Sequence, residues 1–344
     1  IHHLDHSAEL HQLFARLQHQ PWAMLLESAG PLGADNGFDI ITADPLATLE
    51  TRGEVTTLRV GADISEHSED PLALLAHTQQ QLLGELELCA THLPFIGGAL
   101  GYFGYDLGRY IEKLPATAQA DISLPDMAVG FYPWALILDK QLKQLWYVDY
   151  HGEAEAGWQK LHARLQHKLA GSAPFSLNGN WQANMDKAGY VARFNQVQQY
   201  LLSGDCYQIN LTQRFSAHYQ GDEWQAYLKL RDKNAAPFSA FIRLPQGAVL
   251  SISPERFLQL HSGKVETKPI KGTRPRKMDH IEDIAQIKSL ENSNKDKAEN
   301  LMIVDLMRND ISQICEAGSV EVSALFRQEK HPGITHLVSE IEGT

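Results

Sequence analysis

Residues 237–275 read PFSAFIRLPQGAVLSISPERFLQLHSGKVETKPIKGTRP, and this stretch decides the fold. Short runs rich in branched and aromatic residues are separated by Pro245-Gln246-Gly247, Ser253-Pro254-Glu255 and Ser262-Gly263, each a turn signal. The spacing predicts antiparallel strands over 238–244, 248–253, 256–261 and 264–268, running as a meander. The meander delivers Pro269-Ile270-Lys271-Gly272-Thr273-Arg274-Pro275-Arg276. Proline biases the residue before it towards extended backbone, and glycine lets main chain pass close to a ligand, so Lys271 is presented at a defined place. An ordinary lysine, with a pKa of about 10.4, is an inert cation at neutral pH; nucleophilic work requires desolvation or cationic neighbours. Lys268, Arg274, Arg276 and Lys277 are close in sequence, though a solvated basic turn explains the same residues.

Glu255 stands in the proline-fixed bend one hairpin before Lys271, so folding can bring acid and amine to one cleft. A buried, partly protonated carboxyl donates to a leaving hydroxyl while a desolvated lysine attacks an electron-poor carbon; a structural ion pair is the alternative. Further on, Ser293 as N-cap with Asp296 three residues later predicts a helix over 293–310. Glu299, a turn further in, is a carboxylate able to hold Mg²⁺. Asp305 and Arg308, in or beside the apolar run of that helix, predict a paired buried charge.

Towards the N-terminus, the apolar run 127–138 contains Gly130 and Pro133 and is too short to span a membrane as a helix. With 144–148 as partner strand it predicts antiparallel sheet. Gly98, Gly101, Gly104 and Gly108 match no phosphate-binding loop, and close backbone packing is the expected reason for them. The uncharged, turn-rich stretch 171–180 sets a boundary, dividing the chain into an N-terminal region, 1–175, and a second region, 176–344, with the two expected to be intergrown. Tyr190, Phe194, Val197 and Leu201 predict an amphipathic helix stopped by Gly204, and the alternation over 207–212 predicts a strand after it.

The chain has 344 residues, 43% hydrophobic and 21% charged, which suits a folded enzyme. A net charge of −12 argues against nonspecific nucleic-acid or anionic-membrane binding, so an anionic substrate must be held by local charge. No secretory hydrophobic region and no membrane helix is visible, and the expected location is cytoplasmic. Cys89, Cys206 and Cys315 are odd in number and far apart, which fits reduced thiols; none occupies a nucleophile turn of glutaminase type. His2, His3, His6 and His11 crowd a polar start expected to fray without function.

Ser253-Pro254-Glu255, the 269–276 segment, residues 297–310 and His336-Leu337-Val338-Ser339 together resemble the chorismate-utilising enzymes, the anthranilate synthase component I family, in order and in spacing. Within it the chain is most similar to the para-aminobenzoate branch, which carries lysine at the third position of P-I-x-G-T, where anthranilate synthases usually carry alanine. The resemblance implies an α+β fold of large, mostly antiparallel sheets packed as a sandwich with helices outside. It implies that Lys271 adds to C2 of chorismate while Glu255 helps expel the C4 hydroxyl, and that ammonia then gives 4-amino-4-deoxychorismate for folate biosynthesis. Gly272, Thr273 and His336 match substrate-pocket positions and Glu299 a Mg²⁺ ligand. Ser28, Asp35, Asn36, Gly37, Phe38, Pro237, Phe238 and Ser239 match the family's tryptophan-binding region. With no glutaminase cysteine, nitrogen is expected as free ammonia or from a glutamine amidotransferase partner. Family members continue beyond the His336 motif, so a missing C-terminal part is also expected. The alternatives are an anthranilate synthase and a noncatalytic amino-acid-binding subunit.

Overall fold

The structure, a computed structural model, describes residues 1–4, 10–30, 37–84, 91–118, 120–166, 173–331 and 333–344. It forms two compact units, Ile1–Lys168 with Tyr227–Thr344, and Leu169–Ala226.

The larger unit holds three antiparallel sheets. Across its width, the first runs His2–Leu4, Gln144–Asp149, Trp134–Asp139, Phe38–Thr42, Met24–Glu27, Phe238–Leu244 and Gly247–Ser253. The second runs Asp63–His67, Val55–Val60, Ala47–Arg52, Met127–Tyr132 and Gly98–Phe103. Trp22, Met24, Ile242 and Leu244 on the first sheet meet Leu100, Ala128 and Tyr132 on the second in a shared core. The opposite face of the second sheet, Leu49, Met127, Val129 and Phe131, packs on Leu74 of the helix Pro71–Leu83 and on Leu107. Both faces of Met127–Tyr132 are therefore buried, which explains its unbroken apolar sequence.

Pro133 splits the run 127–138 into two strands that belong to different sheets. The predicted pairing with 144–148 holds for the second half, where Leu138 faces Leu145. Of the four glycines expected to be close-packed, Gly101 and Gly104 are, with a would-be Cβ 2.0 Å from the Ala128 carbonyl oxygen and 2.7 Å from that of Asp126, whereas at Gly98 a Cβ would meet only ordinary contacts from 3.8 Å and at Gly108 nothing within 4 Å. His2–Leu4 does not fray; it pairs with Leu145–Tyr147, and the His3 ring lies 4.7 Å from that of Trp146. His6 and Cys89 lie outside the described residues, and Cys206 and Cys315 are free thiols.

The third sheet orders Arg256–His261, Lys264–Lys268, Ile334–Gly343 and Ile270–Pro275, with Glu321–Lys330 also on Ile334–Gly343. The four predicted strands of 238–268 are all present, but they are not one meander. The first two close the seven-stranded sheet, and Ser253-Pro254-Glu255 carries the chain across to the third sheet. The helix Asn294–Ser312 lies on the third sheet, burying Val304 and Ile311 against Val265 and Ile341.

In the smaller unit, Ser176–Ala183 pairs with Phe215–Gln220, so the latter part of the turn-rich stretch is a strand. The helix Lys187–Ser203 is capped by Asp186, which accepts from the Gly189 N–H at 2.7 Å, and ends at left-handed Gly204. No residue of this helix is buried, so the predicted stripe exists without a covered core face. Residues 207–212 form no strand; Phe215–Gln220 takes the available partner instead. No helix among the described residues is long and apolar enough to cross a membrane.

Candidate active site

The ladder between Ile270–Pro275 and Ile334–Gly343 aligns Ile270 with Val338 and Thr273 with His336, so three steps on one strand match two on the other. Lys271 and Gly272 thus occupy a bulge, a device that re-aims a side chain. Gly272 has φ +86°, and a Cβ there would stand 2.9 Å from Cβ of Asp296 and 3.1 Å from a methyl of Leu290. Only glycine lets this strand run so close to the helix Asn294–Ser312. Lys271 is half-buried, and among the described residues its amine has no hydrogen bond or ion pair.

Glu255 reaches the same place from the sheet crossover: its Oε1 accepts the Ile270 N–H at 2.9 Å. The bond ties the acid to the main chain of the residue before Lys271, and among the described residues Glu255 and Lys271 form no ion pair. Glu255 is exposed, not buried as the sequence reading supposed, because its bend lies where the chain leaves one sheet for the next.

Thr273 and His336, opposite each other, join through Oγ1 and Nδ1 at 2.8 Å. His336 is buried, and its Nε2 has no hydrogen-bond partner among the described residues. Burial holds the His336 imidazole below its ordinary pKa, with the nearby His331 adding to the effect and Glu329 opposing it. The sequence reading missed His331, whose ring meets His336 edge-on at 5.6 Å.

Ser293 caps the helix as predicted, accepting the Asp296 N–H at 3.3 Å. Asp296 also pairs with Arg274 at 2.9 Å. Burial pushes its carboxyl up, but the Ser293 hydroxyl and the Arg274 guanidinium outweigh it and hold the group below the usual range. One residue past half-buried Glu299, fully buried Asn300 accepts from the Ser339 hydroxyl at 2.6 Å, and Ser339 accepts from the Phe326 N–H at 3.2 Å. This internal network fixes helix to sheet. The expected burial of Asp305 and Arg308 is overturned: they pair loosely at 3.7 Å with side chains 84% and 51% exposed, on a helix face that the sheet does not reach.

Magnesium takes one or two protein carboxylates and completes its shell with ligand oxygens and water. Glu299 offers one. Glu266, Glu340 and Glu342 bring carboxylate oxygens within 4.8 Å of one another, but basic side chains already occupy them. Lys268 lies 3.4 Å from Glu266 and 3.5 Å from Glu340, Arg327 lies 3.0 Å from Glu340, Arg256 pairs with Glu266, and Lys264 pairs with Glu342. Burial would raise the Glu266 pKa, but Lys268 and Arg256 outweigh it and hold the carboxyl low. This cluster is a neutralised network.

Of the residues matched to a tryptophan pocket, Asp35 and Asn36 lie outside the described residues. The others meet at adjoining strand ends. Ser239 pairs with Glu27, Ala29 N–H donates to the Ala236 carbonyl at 3.1 Å, and Ser28 N–H donates to Asp39 at 2.8 Å. The Ser28 hydroxyl faces the Phe38 carbonyl at 3.4 Å, and the Gly37 carbonyl accepts from the Lys140 N–H at 2.8 Å. The Lys140 amine donates to the Ser28 carbonyl and lies 3.7 Å from Asp39. Burial raises the Asp39 pKa to about 6, against the pull of Lys140. Pro237 borders a separate cavity of about 260 Å³ shared with Pro254 and His331.

The family model settles the class: the chain belongs to the chorismate binding enzymes, matched over residues 23–344. It is 54% identical over 329 residues to aminodeoxychorismate synthase component 1 of Klebsiella aerogenes, covering 95% of this chain and 72% of that one. It is 51% identical over 328 residues to the protein of the same name from Salmonella typhimurium, covering 95% and 71%. The fold matches the crystal structure of anthranilate synthase component I from Streptococcus pneumoniae with a TM-score of 0.77, at 24% identity over 91% of this chain and 70% of that one.

Proposed function

We propose that this protein converts chorismate and ammonia to 4-amino-4-deoxychorismate through a covalent intermediate on Lys271. The observation that carries the reading is the Glu255 carboxylate bonded at 2.9 Å to the N–H of the residue before Lys271. It stands beside identity above 50% to proteins named for that activity.

In its neutral form the Lys271 amine adds its lone pair to C2 of the ring. Both ring double bonds shift along the diene, the C4–O bond breaks, and Glu255 protonates the departing hydroxyl so that water leaves. Ammonia then adds at C4, both double bonds shift back, the C2–N bond to Lys271 breaks to restore the amine, and the proton shed by the added ammonia returns to Glu255. Gly272 lets the strand seat closely against the helix Asn294–Ser312, while Thr273 orients His336 towards the substrate's polar groups. Glu299 would hold Mg²⁺, which when bound neutralises a substrate carboxylate.

The relatives' "component 1" naming supports a partner subunit, and a glutamine amidotransferase delivering ammonia is the partner this reaction calls for. Tryptophan binding at Ser28, Asp35, Asn36, Gly37, Phe38, Pro237, Phe238 and Ser239 is a further proposal resting on the resemblance. An amino-acid ammonium there would compete with Lys140 for the Ser28 carbonyl.

The test is incubation of the full-length protein with chorismate, Mg²⁺ and ammonium salt. The expected product is aminodeoxychorismate, with a mass-detectable adduct on Lys271 that Lys271→Ala abolishes. Anthranilate as the product, or an adduct that survives in Lys271→Ala, would overturn the reading.

A further inference from the structure

We propose that His331 is a positioning residue for His336: packed edge-on against it, His331 fixes the plane of the His336 ring so that its buried Nε2 stands ready for substrate. The inference rests on the reading of His336 as a substrate-pocket group.

Three observations carry it. The first is placement. Glu321–Lys330 and Ile334–Gly343 form a hairpin in which Glu329 faces His336 and Lys330 faces Thr335, and the His331 N–H closes the turn on the Ile334 carbonyl at 2.8 Å. His331 and His336 are thus diagonal cross-strand neighbours on one face, a relation within reach of ring side chains. Their centroids are 5.6 Å apart with planes at 60°, the favoured edge-to-face arrangement.

The second is hydrogen bonding. Thr273 engages His336 Nδ1 at 2.8 Å, while the Nε2 atoms of both histidines are buried and without a partner among the described residues. A buried polar atom left unpaired is destabilising, and of the two Nε2 atoms the one on His336, whose ring Thr273 anchors, is the one assigned to substrate. In the tautomer whose Nδ1 accepts from the Thr273 hydroxyl, Nε2 carries the hydrogen and offers it to a carboxylate or hydroxyl of the substrate.

The third is charge. Around His336, the flanking strand contributes Glu329, which Arg327 engages at 2.9 Å; the other flanking strand contributes Thr273, while Arg274 turns to Asp296; and the turn contributes His331. Burial and His331 both favour a neutral His336 ring, against Glu329. Removing the His331 ring would also enlarge the cavity of about 260 Å³ that it lines and admit water beside His336.

The experiment compares His331→Phe, which keeps a ring and removes the charge, with His331→Ala in the full-length protein. It records kcat and KM for chorismate from pH 5.5 to 8.5 with ammonium salt, and the imidazole NMR titration of His336. In His331→Ala, KM is expected to rise severalfold with kcat less affected. The penalty deepens towards pH 5.5, because His336 takes up its proton at higher pH than in the parent. His331→Phe keeps more of the activity, yet its acid limb also moves to higher pH. An unmoved His336 titration in either folded variant overturns the proposal, as does an unchanged chorismate KM in His331→Ala. His336→Gln is the separate control: if it leaves KM unchanged, the assignment of His336 to substrate is wrong, while the NMR titration still decides the pairing of the rings.

Discussion

Replacing Gly272 by alanine tests whether the bulge and the helix are as tightly fitted as the geometry says. The backbone there has φ +86°, and a non-glycine residue in that region costs on the order of 1–3 kcal/mol. The added methyl would stand 2.9 Å from Asp296 Cβ and 3.1 Å from the Leu290 methyl. Neither neighbour retreats easily: the first is the root of a side chain held by Arg274 and Ser293, and Leu290 is fully buried. Overpacking of this kind adds roughly 1–3 kcal/mol, for a total of about 2–6 kcal/mol. Gly263→Ala supplies the control, since Gly263 has φ +79° with nothing within 4 Å of its would-be Cβ. It bears only the backbone part. Urea unfolding followed by circular dichroism should place Gly272→Ala well below Gly263→Ala, with the gap measuring the clash. Equal midpoints for the two variants would refute the claimed fit of strand to helix.

Glu255→Gln should leave the fold intact, because its amide oxygen still accepts from Ile270, while cutting turnover by about 10²-fold or more through loss of proton donation; steady-state kinetics check this. Ser339→Ala should destabilise by about 1–3 kcal/mol, since Asn300 then keeps a buried acceptor without its donor; thermal unfolding is the measure. Asp39, raised to about 6 from a model-peptide value of 3.8, binds its proton more tightly folded than unfolded, so its contribution is full below about pH 4 and lost as pH rises through about 6. Asp39→Asn should flatten that part of the stability–pH curve, and an unchanged slope between pH 4 and 6 would contradict the raised value.

Much of this molecule was legible because its strands have period two and its turns carry Pro, Gly and Ser. Four strands over 238–268 and the capped helix from Ser293 follow from such local signals. What local signals do not carry is the sheet to which a strand belongs. Pro254 read as a bend and Pro133 as part of one apolar run, yet each moves the chain from one sheet to another, and only the packed partners decide that. The alternation in 207–212 met no partner and stayed irregular. Asp305 and Arg308 were misjudged because an apolar helix sequence does not reveal which face is covered. Lys271, Glu255, Thr273 and His336 stood out from motif order. His331 did not, since its relation to His336 runs diagonally across a hairpin; the Pro-Gly pair that follows it in the sequence was the signal available.

The anchoring of Glu255 to main chain has a bearing on how such enzymes diverge. Its carboxylate is tied to the amide of residue 270 and ignores whatever side chain follows. On the proposed mechanism, the side chain at 271 can therefore change, retaining or discarding the nucleophile, while the acid at 255 keeps its anchor.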